Sequence, residues 1–541
     1  MESIIAIPFP DRKPIFLAIP AGRGCKNGRD MVAFLPDREP QGECRVRRCF
    51  FLLLLAPPLI FLFILIINMP DQGEIPGPAG RFDREPSAPT AKPGEDNGFT
   101  LLWTFAEAPG VDFRSAETRQ RIAEMADPEI AEGDYRRNYY QWSSEHRDVY
   151  NQYWKYFNFY FPRKPDEDPC GYFSGRRTEI LNLKTKYGLL LKRYGLLLRS
   201  GIIGDFTLPG RDFPLNNLVL INNTCRLFLA DKLLGAMEGR WRETVEEIAQ
   251  NIELGLRIIG GSRIYPVHQL GKNMVDLSLR SLCSLMNRND FPGELYSRLL
   301  ERLPVLSSAA FGTLPVIEFE FRNFSLAVER MKRESRIDPY MLKDYFRNSV
   351  GFFTVERLIN SGQWQAGKII NPVLSLFLKK KETLDLYASF WNRIRWLEAH
   401  PPYQWPPGQS DGRFDPTARP LWWLRNAFGK MMVRSAIPFP WVAINNHVYR
   451  THLLKARYDL TRILAEWHSR RQPGKDPLAV LREVEAFRDP DPFSGKPYRV
   501  NPEKMVIYSI GSDREDNGGT EQVNYLRDSD IAVPYFFGPT G

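Results

Sequence analysis

The sequence predicts a mainly α-helical protein with a single transmembrane helix, a large helical extracytoplasmic domain and a small C-terminal α+β module of short antiparallel strands. Three observations predict it. Residues 49–70 form an uncharged apolar run, and long segments between residues 99 and 400 repeat apolar side chains at three- and four-residue steps. Residues 489–541 switch to short apolar runs punctuated by Pro, Gly, Asn and Asp. The 541 residues are 43% hydrophobic and 25% charged, as in ordinary folded chains, and 13% aromatic, which points to large packed cores. The net charge of +9 is spread over alternating basic and acidic residues. With neither a Lys/Arg block nor a recognisable binding module, nucleic acid is not an expected partner.

Residues 1–48 read as an irregular cytoplasmic tail, with Met31 as an alternative start. The predicted transmembrane helix covers residues 49–69. Its core, Cys49 to Ile67, has 19 residues and would span about 28 Å, close to the hydrocarbon thickness of a bilayer. Pro57 and Pro58 should kink it. Arg45, Arg47 and Arg48 precede the run, and Asp71 and Glu74 follow it, which places the N-terminus in the cytoplasm. The expected localisation is therefore the cell membrane, single-pass, with the bulk of the chain extracytoplasmic (periplasmic in a Gram-negative cell) and membrane lipid as a partner. Residues 70–98, rich in Pro, Gly, Asp and Glu, read as a linker.

Residues 99–400 form the helical domain. The aromatic stretch Tyr135–Phe161 reads as a packed helix face, with a membrane-surface belt or a carbohydrate-stacking surface as alternatives. Val245, Ile248, Ile252, Leu256 and Ile259 share one helical face, as do Val275, Leu279, Leu282 and Met286. Leu181–Leu198 is helical despite its glycines. VIEFEF is the exception: Ile317, Phe319 and Phe321 alternate with Glu318 and Glu320 as in a strand. Two carboxylates on one strand face can divide acid and base roles or share a metal, so Glu318 and Glu320 are the candidate catalytic residues; a solvated strand face is the plainer alternative. The six histidines show no HExxH, and His447 and His452 are offset too far on a helix to share a metal. No GxSxG or phosphate-binding loop is present. Asn222 and Asn323 satisfy the glycosylation pattern. Cys170, Cys225 and Cys283 follow the apolar run; one disulfide with a free thiol and three buried thiols are both open.

Residues 401–420 form a proline-rich loop, and residues 421–488 are helices leading into the C-terminal module. Within them, Asn446–Arg470 is one helix, with Leu453, Ala456, Leu460, Ile463 and Trp467 at 3-4-3-4 spacing. Residues 489–541 are a small antiparallel β module with an acidic Gly-rich loop, carrying nine Asp/Glu against five Lys/Arg. Pro497–Val500 and Met505–Ile510 are its strand candidates, joined by a turn at Asn501-Pro502.

A long helix, then DPFSGKPYRV, VIYSIGSDREDNGG and DSDI, resembles the C-terminal module of type II secretion major pseudopilins over roughly residues 446–534. The rest of the chain is similar to uncharacterised bacterial membrane-anchored proteins. The resemblance implies a long helix packed on a small antiparallel sheet, with a closing acidic loop that binds calcium. Asp491–Tyr498 matches the family's first strand motif, Ile507–Asp513 its second, and Asp528-Ser529-Asp530-Ile531 the end of the calcium loop. The candidate metal ligands are Asp513, Asp516, Asp528 and Asp530, with turn carbonyls completing an oxygen shell for Ca2+; a plain Asp/Gly turn is the alternative. No prepilin leader precedes the apolar run, so a filament role is not implied. The function expected from all this is a non-enzymatic membrane-anchored envelope protein, scaffolding or assisting a secretion or surface assembly with an envelope protein as partner. The alternatives are an extracytoplasmic hydrolase with carboxylates in the helical domain, and a cell-wall or polysaccharide-binding protein.

Overall fold

The structure, a computed structural model, describes residues 4–9, 12–18, 97–108, 115–126, 144–145, 147–162, 168–207, 215–334, 378–406, 426–437, 448–471, 476–484, 489–520 and 530–534. It divides into a unit of residues Met1–Ile66 and a unit of residues Ile67–Gly541. Within the first unit, β1 (Ile4–Phe9) and β2 (Arg12–Ala18) pair antiparallel, so the expected irregular tail contains a hairpin.

The second unit is mainly helical. In order come α1 (Gly98–Thr104), α2 (Ala116–Ala126), α3 (Pro169–Ser174), α4 (Arg177–Lys186), α5 (Gly188–Arg199), α6 (Leu215–Met237), α7 (Trp241–Gly261), α8 (Tyr265–Met286) and α9 (Glu294–Arg302). Then follow α10 (Leu314–Glu334), α11 (Lys380–Ala399), α12 (Ala427–Ala436), α13 (Arg450–Arg470) and α14 (Pro477–Glu483), and finally β3 (Arg499–Asn501), β4 (Val506–Ser509) and β5 (Ile531–Pro534).

The predicted anchor, residues 49–69, lies outside the described residues, as does most of the 70–98 linker. Among the described residues no helix is long and apolar enough to cross a membrane. The physical reason is that even the longest carry charges along their length: α6 has Arg226, Asp231 and Lys232, and α8 has Lys272, Asp276 and Arg280. The transmembrane part of the expected fold is corrected accordingly. With it fall the single-pass topology, the lipid contact, the extracytoplasmic placement and the membrane-anchored envelope function, all of which rested on that span.

The helical bundle is organised around α7 and α8. Val245, Ile248, Ile252 and Ile259 of α7 and Val275, Leu279, Leu282 and Met286 of α8 are buried, as their spacing predicts. Gly255 and Gly271 let the two helices meet: a Cβ on Gly255 would lie 2.9 Å from the Gly271 carbonyl oxygen, and one on Gly271 2.8 Å from that of Gly255. The 181–198 segment is two helices, α4 and α5, broken at Tyr187.

VIEFEF is not a strand. It lies in α10, and the alternation has a helical cause. Ile317 and Phe321, one turn apart, enter a second apolar cluster with Phe324, Tyr387, Trp391 and Leu397. Phe319, on the opposite side, enters the main cluster. A helix buried on two sides mimics the two-residue period of a strand.

The C-terminal strands form one antiparallel sheet of order β3-β4-β5, with Val500 opposite Ile507 and Ile507 opposite Val533. The third strand, β5, is formed by the segment expected only to close an acidic loop. Ile507, Ile531 and Val533 are buried in the main cluster with Leu460, Ile463 and Trp467 of α13, which packs on β4 and β5.

Candidate functional site

Glu318 and Glu320 do not form a pair. Two residues apart on α10, they project in directions about 200° apart. Glu318 is exposed; Glu320 is half-buried, and burial alone pushes its carboxyl up to about 7. No hydrogen bond or ion pair to either carboxylate occurs among the described residues.

A different set of titratable groups does converge, where α8, the 311–313 turn, the end of α11 and the start of α13 meet. Lys272 of α8 is fully buried, and its Nζ donates to Thr451 Oγ1 at 2.7 Å. Glu398 of α11 accepts from Thr313 twice, at Oε1 from the hydroxyl (2.5 Å) and at Oε2 from the backbone N–H (2.9 Å). Thr451 Oγ1 lies 3.4 Å from Glu398 Oε1 and 3.2 Å from the Phe311 carbonyl oxygen, so this hydroxyl bridges amine and carboxylate. His268 Nε2 meets the Gly312 carbonyl oxygen at 2.9 Å, and His452 Nε2 meets that of Leu397 at 3.2 Å. Both rings therefore carry their proton on Nε2. Each Nδ1 is buried without a hydrogen-bond partner.

Electrostatics follow burial. Loss of water pushes the Lys272 amine down and the Glu398 carboxyl up, each opposed by the other's charge. Burial, aided by the Lys272 charge, holds His268 down to about 3. His452 is held down to about 4 by burial and the same charge, against the Leu397 carbonyl. Perturbed groups of this kind mark functional sites as well as structural knots. Here Lys272, His268, His452 and Thr451 have no exposed surface, so no substrate reaches them as the protein stands.

Sequence spacing missed this cluster because Lys272 and Thr451 are 179 residues apart. One signal was present: His268 and Lys272 fall on the same helical stripe as Val275, Leu279 and Leu282. A lysine on an apolar stripe demands a buried partner.

The candidate metal ligands lie in and after the β4–β5 connection. Asp516 is ion-paired with Arg499 and accepts from Tyr508 Oη (2.9 Å) and Gly518 N (3.0 Å). Asp513 accepts from Glu515 N (3.1 Å) and Asn517 Nδ2 (3.2 Å). Asp528 lies outside the described residues. Asp530 is fully buried; Oδ2 accepts from Gly519 N at 2.6 Å, and Oδ1 has no partner. Burial raises its affinity for a proton, the backbone N–H groups of Gly519 and Asn517 oppose, and the charges of Asp516 and Asp513 add to the rise. Among the described residues no three His, Cys, Asp or Glu side chains gather tightly enough to hold a metal by themselves. The fit to a hard cation therefore rests on the one orphaned carboxylate oxygen, with oxygens of the turn.

The DPFSGKPY segment builds the frame of this loop. Asp491, buried, accepts from Phe493 N (3.1 Å), Ser509 Oγ (2.6 Å) and Ile510 N (3.4 Å), fastening the turn to β4. Gly495, at φ +68°, packs under the Tyr403 ring, where a Cβ would come within 2.7 Å. Tyr498 Oη donates to Asp459 Oδ2 of α13 at 2.9 Å, tying sheet to helix.

The remaining sequence features are structural. In the aromatic stretch, residues 135–143 lie outside the described residues; Trp154, Phe157, Phe159 and Phe161 are buried, whereas Tyr153, Tyr156 and Tyr160 are exposed. A shallow groove is lined by Leu198, Arg199, Gln250, Glu253, Leu256, Arg257 and Arg302, with no ring for stacking. Within it, Arg257 caps the end of α5 through the Leu198 carbonyl (3.0 Å), and Arg302 pairs with Glu246 and Glu253. Asn222 and Asn323 sit inside α6 and α10, where a glycan acceptor is poorly placed. Cys170, Cys225 and Cys283 are buried thiols with no disulfide among them. His447 and the 407–420 part of the proline-rich loop lie outside the described residues, but Trp405 is buried, its ring 5.1 Å from Tyr449.

No family model matches the chain, and no curated protein or solved structure matches it.

Proposed function

We propose that residues 446–534 are a structural cap of the kind found in major pseudopilins, stapled by a divalent cation, Ca2+ foremost, at Asp530. The observation that carries this reading is the fully buried Asp530 carboxylate, one of whose oxygens has no hydrogen-bond partner. A buried carboxylate oxygen left bare costs several kcal/mol in round terms, roughly the desolvation of an unpaired charge, and a bound cation removes that cost. Asp513 is close enough for its charge to act on Asp530, whereas Asp516 is committed to Arg499. The long helix against a three-stranded antiparallel sheet, tied by Tyr498 to Asp459 and by Asp491 to Ser509, supports the likeness. When bound, Ca2+ would supply charge neutralisation and loop closure. The cap's work would be structural, because the carboxylate concerned is buried.

The test is a thermal melt of the full chain after verified metal removal, then with millimolar Ca2+ or Mg2+. Ca2+ should raise the midpoint of the transition that reports the cap, Mg2+ less, and Asp530→Asn should abolish the rise. An unchanged midpoint on adding Ca2+ to metal-free protein overturns the proposal.

A further inference from the structure

The apolar interior is in two parts. The main cluster holds α7, α8 and most of α13; the second is built from α10, α11 and α12 with Trp405 and Val448. Where they meet, the contacts change character. Two histidines mounted on the main bundle hold backbone carbonyls at this seam: His452 of α13 holds that of Leu397 in the second cluster, and His268 of α8 holds that of Gly312, which links Phe311 of the main cluster to α10. Gly312 lies just before α10, and Leu397 lies in the last turn of α11. Thr451 meets the Phe311 carbonyl on the main side, and Glu398 reaches back across the seam from α11 to Thr451. In both histidines the second ring nitrogen is buried with no partner. An imidazole in that position must stay neutral: a second proton on Nδ1 would put a charge and an unmet donor into a dry layer.

We propose that His268 and His452 form a proton-operated joint between the two cores, which releases α10 and α11 from α8 and α13 on acidification while both cores stay folded.

The charged groups that face the pair among the described residues are Lys272 on α8, Glu398 on α11 and Arg450 on α13. The 311–313 turn brings only carbonyls and the Thr313 hydroxyl, and Trp405 lies edge-on to His452 at 6.0 Å. Lys272 and Arg450 are cations, so a proton arriving on either histidine adds repulsion. Closed, the rings are held down to about 3 and about 4; opened to water they return to an ordinary affinity near 6.5. Linkage then makes opening more favourable as pH falls below 6.5, by about 30-fold per histidine at pH 5. Glu398 acts in the opposite sense, because its raised closed-state affinity favours the joined form as pH falls through the same range. Between pH 7.5 and 5 one carboxylate offsets at most about 300-fold, against about 900-fold for two histidines, which leaves a net opening of at least about threefold.

Hydrogen exchange on the full chain at pH 7.5 and 5.0, corrected for the intrinsic pH dependence, tests this. Amides of α10 and α11 should exchange at least about threefold faster at pH 5.0, while those of α7 and α8 keep their protection. The His268→Gln, His452→Gln double variant keeps an N–H for each carbonyl but cannot titrate, and it should lose the acid response. Acceleration of α7 and α8 together with α10 and α11, no acceleration at all, or an unaltered response in the double variant would each overturn the joint. Should the double variant not fold, ring-proton NMR of the wild-type chain decides. Protonation of both rings coincident with loss of α10 and α11 protection supports the proposal, and protonation without that loss refutes it.

Discussion

Replacing Asp491 with Ala tests whether the DPFSGKPY turn is the fastening of the C-terminal sheet. Asp491 accepts three hydrogen bonds from buried donors, and Ala removes all three. Its backbone bonds, to Lys496 O at 2.8 Å and from Gly495 N at 2.8 Å, remain, so the turn keeps its outline. A buried donor left unmatched costs about 1–3 kcal/mol. The Ser509 hydroxyl can rotate toward another acceptor, and the Ile510 contact, at 3.4 Å, is long and counts for little. The expected loss is therefore about 3 kcal/mol, below the sum of three full penalties. Asp491→Asn keeps one acceptor oxygen but turns an NH2 toward Ile510 N, and should lie between, at about 1–2 kcal/mol. Urea unfolding followed by circular dichroism gives the free energies, and hydrogen exchange at residues 499–509 locates the damage. A loss below about 1 kcal/mol for the alanine variant, or exchange that accelerates in α7 and α8 but not in the sheet, would show that the turn is not the fastening.

Two further outcomes follow from single positions. Glu320→Gln should stabilise the protein above pH 7 by about 1–3 kcal/mol and make little difference below pH 4.5, because the folded carboxyl holds its proton up to about 7 while an unfolded one releases it near 4.3; equal stability of the two proteins at pH 8 in chemical denaturation refutes this. Gly261→Ala would set a Cβ 1.6 Å from the Ile203 carbonyl oxygen, a backbone atom that cannot step aside alone. It should cost about 3 kcal/mol and weaken the neighbouring Asp205 N to Gly261 O bond of 3.0 Å; a wild-type unfolding midpoint would contradict the geometry.

What the sequence disclosed depended on how local the cause was. The 3-4 spacing of Val245, Ile248 and Ile252 is the direct trace of one buried face, so α7 was legible. The β4 strand was legible because Met505–Ile510 is bounded by a turn on each side. Glu318 and Glu320 misled because two cores flank α10, and no spacing rule distinguishes a doubly buried helix from a strand over six residues. Asp530 was legible as an acidic residue near a glycine turn, but not as a buried one. The joint between the cores was illegible in practice: Lys272, Thr313, Glu398 and Thr451 become neighbours only once four separate elements have packed.

The short strip 401–406 has a consequence for how the chain is made. Its Tyr403 and Trp405 lie beneath the C-terminal module: Arg514 donates to the Pro402 carbonyl at 2.5 Å, 112 positions later in the chain, and its guanidinium lies 5.5 Å from the Trp405 ring. At a ribosomal pace of about 5–20 residues per second, that strip waits roughly 5–20 s for the residues that cover it. Throughout that interval Trp405 has Tyr449 and His452 as neighbours at most, without the cover of Arg514. The nascent protein is thus open to chaperones, or to wrong partners, from the point at which about three-quarters of it is made, and a stop before codon 514 would leave that cover missing for good.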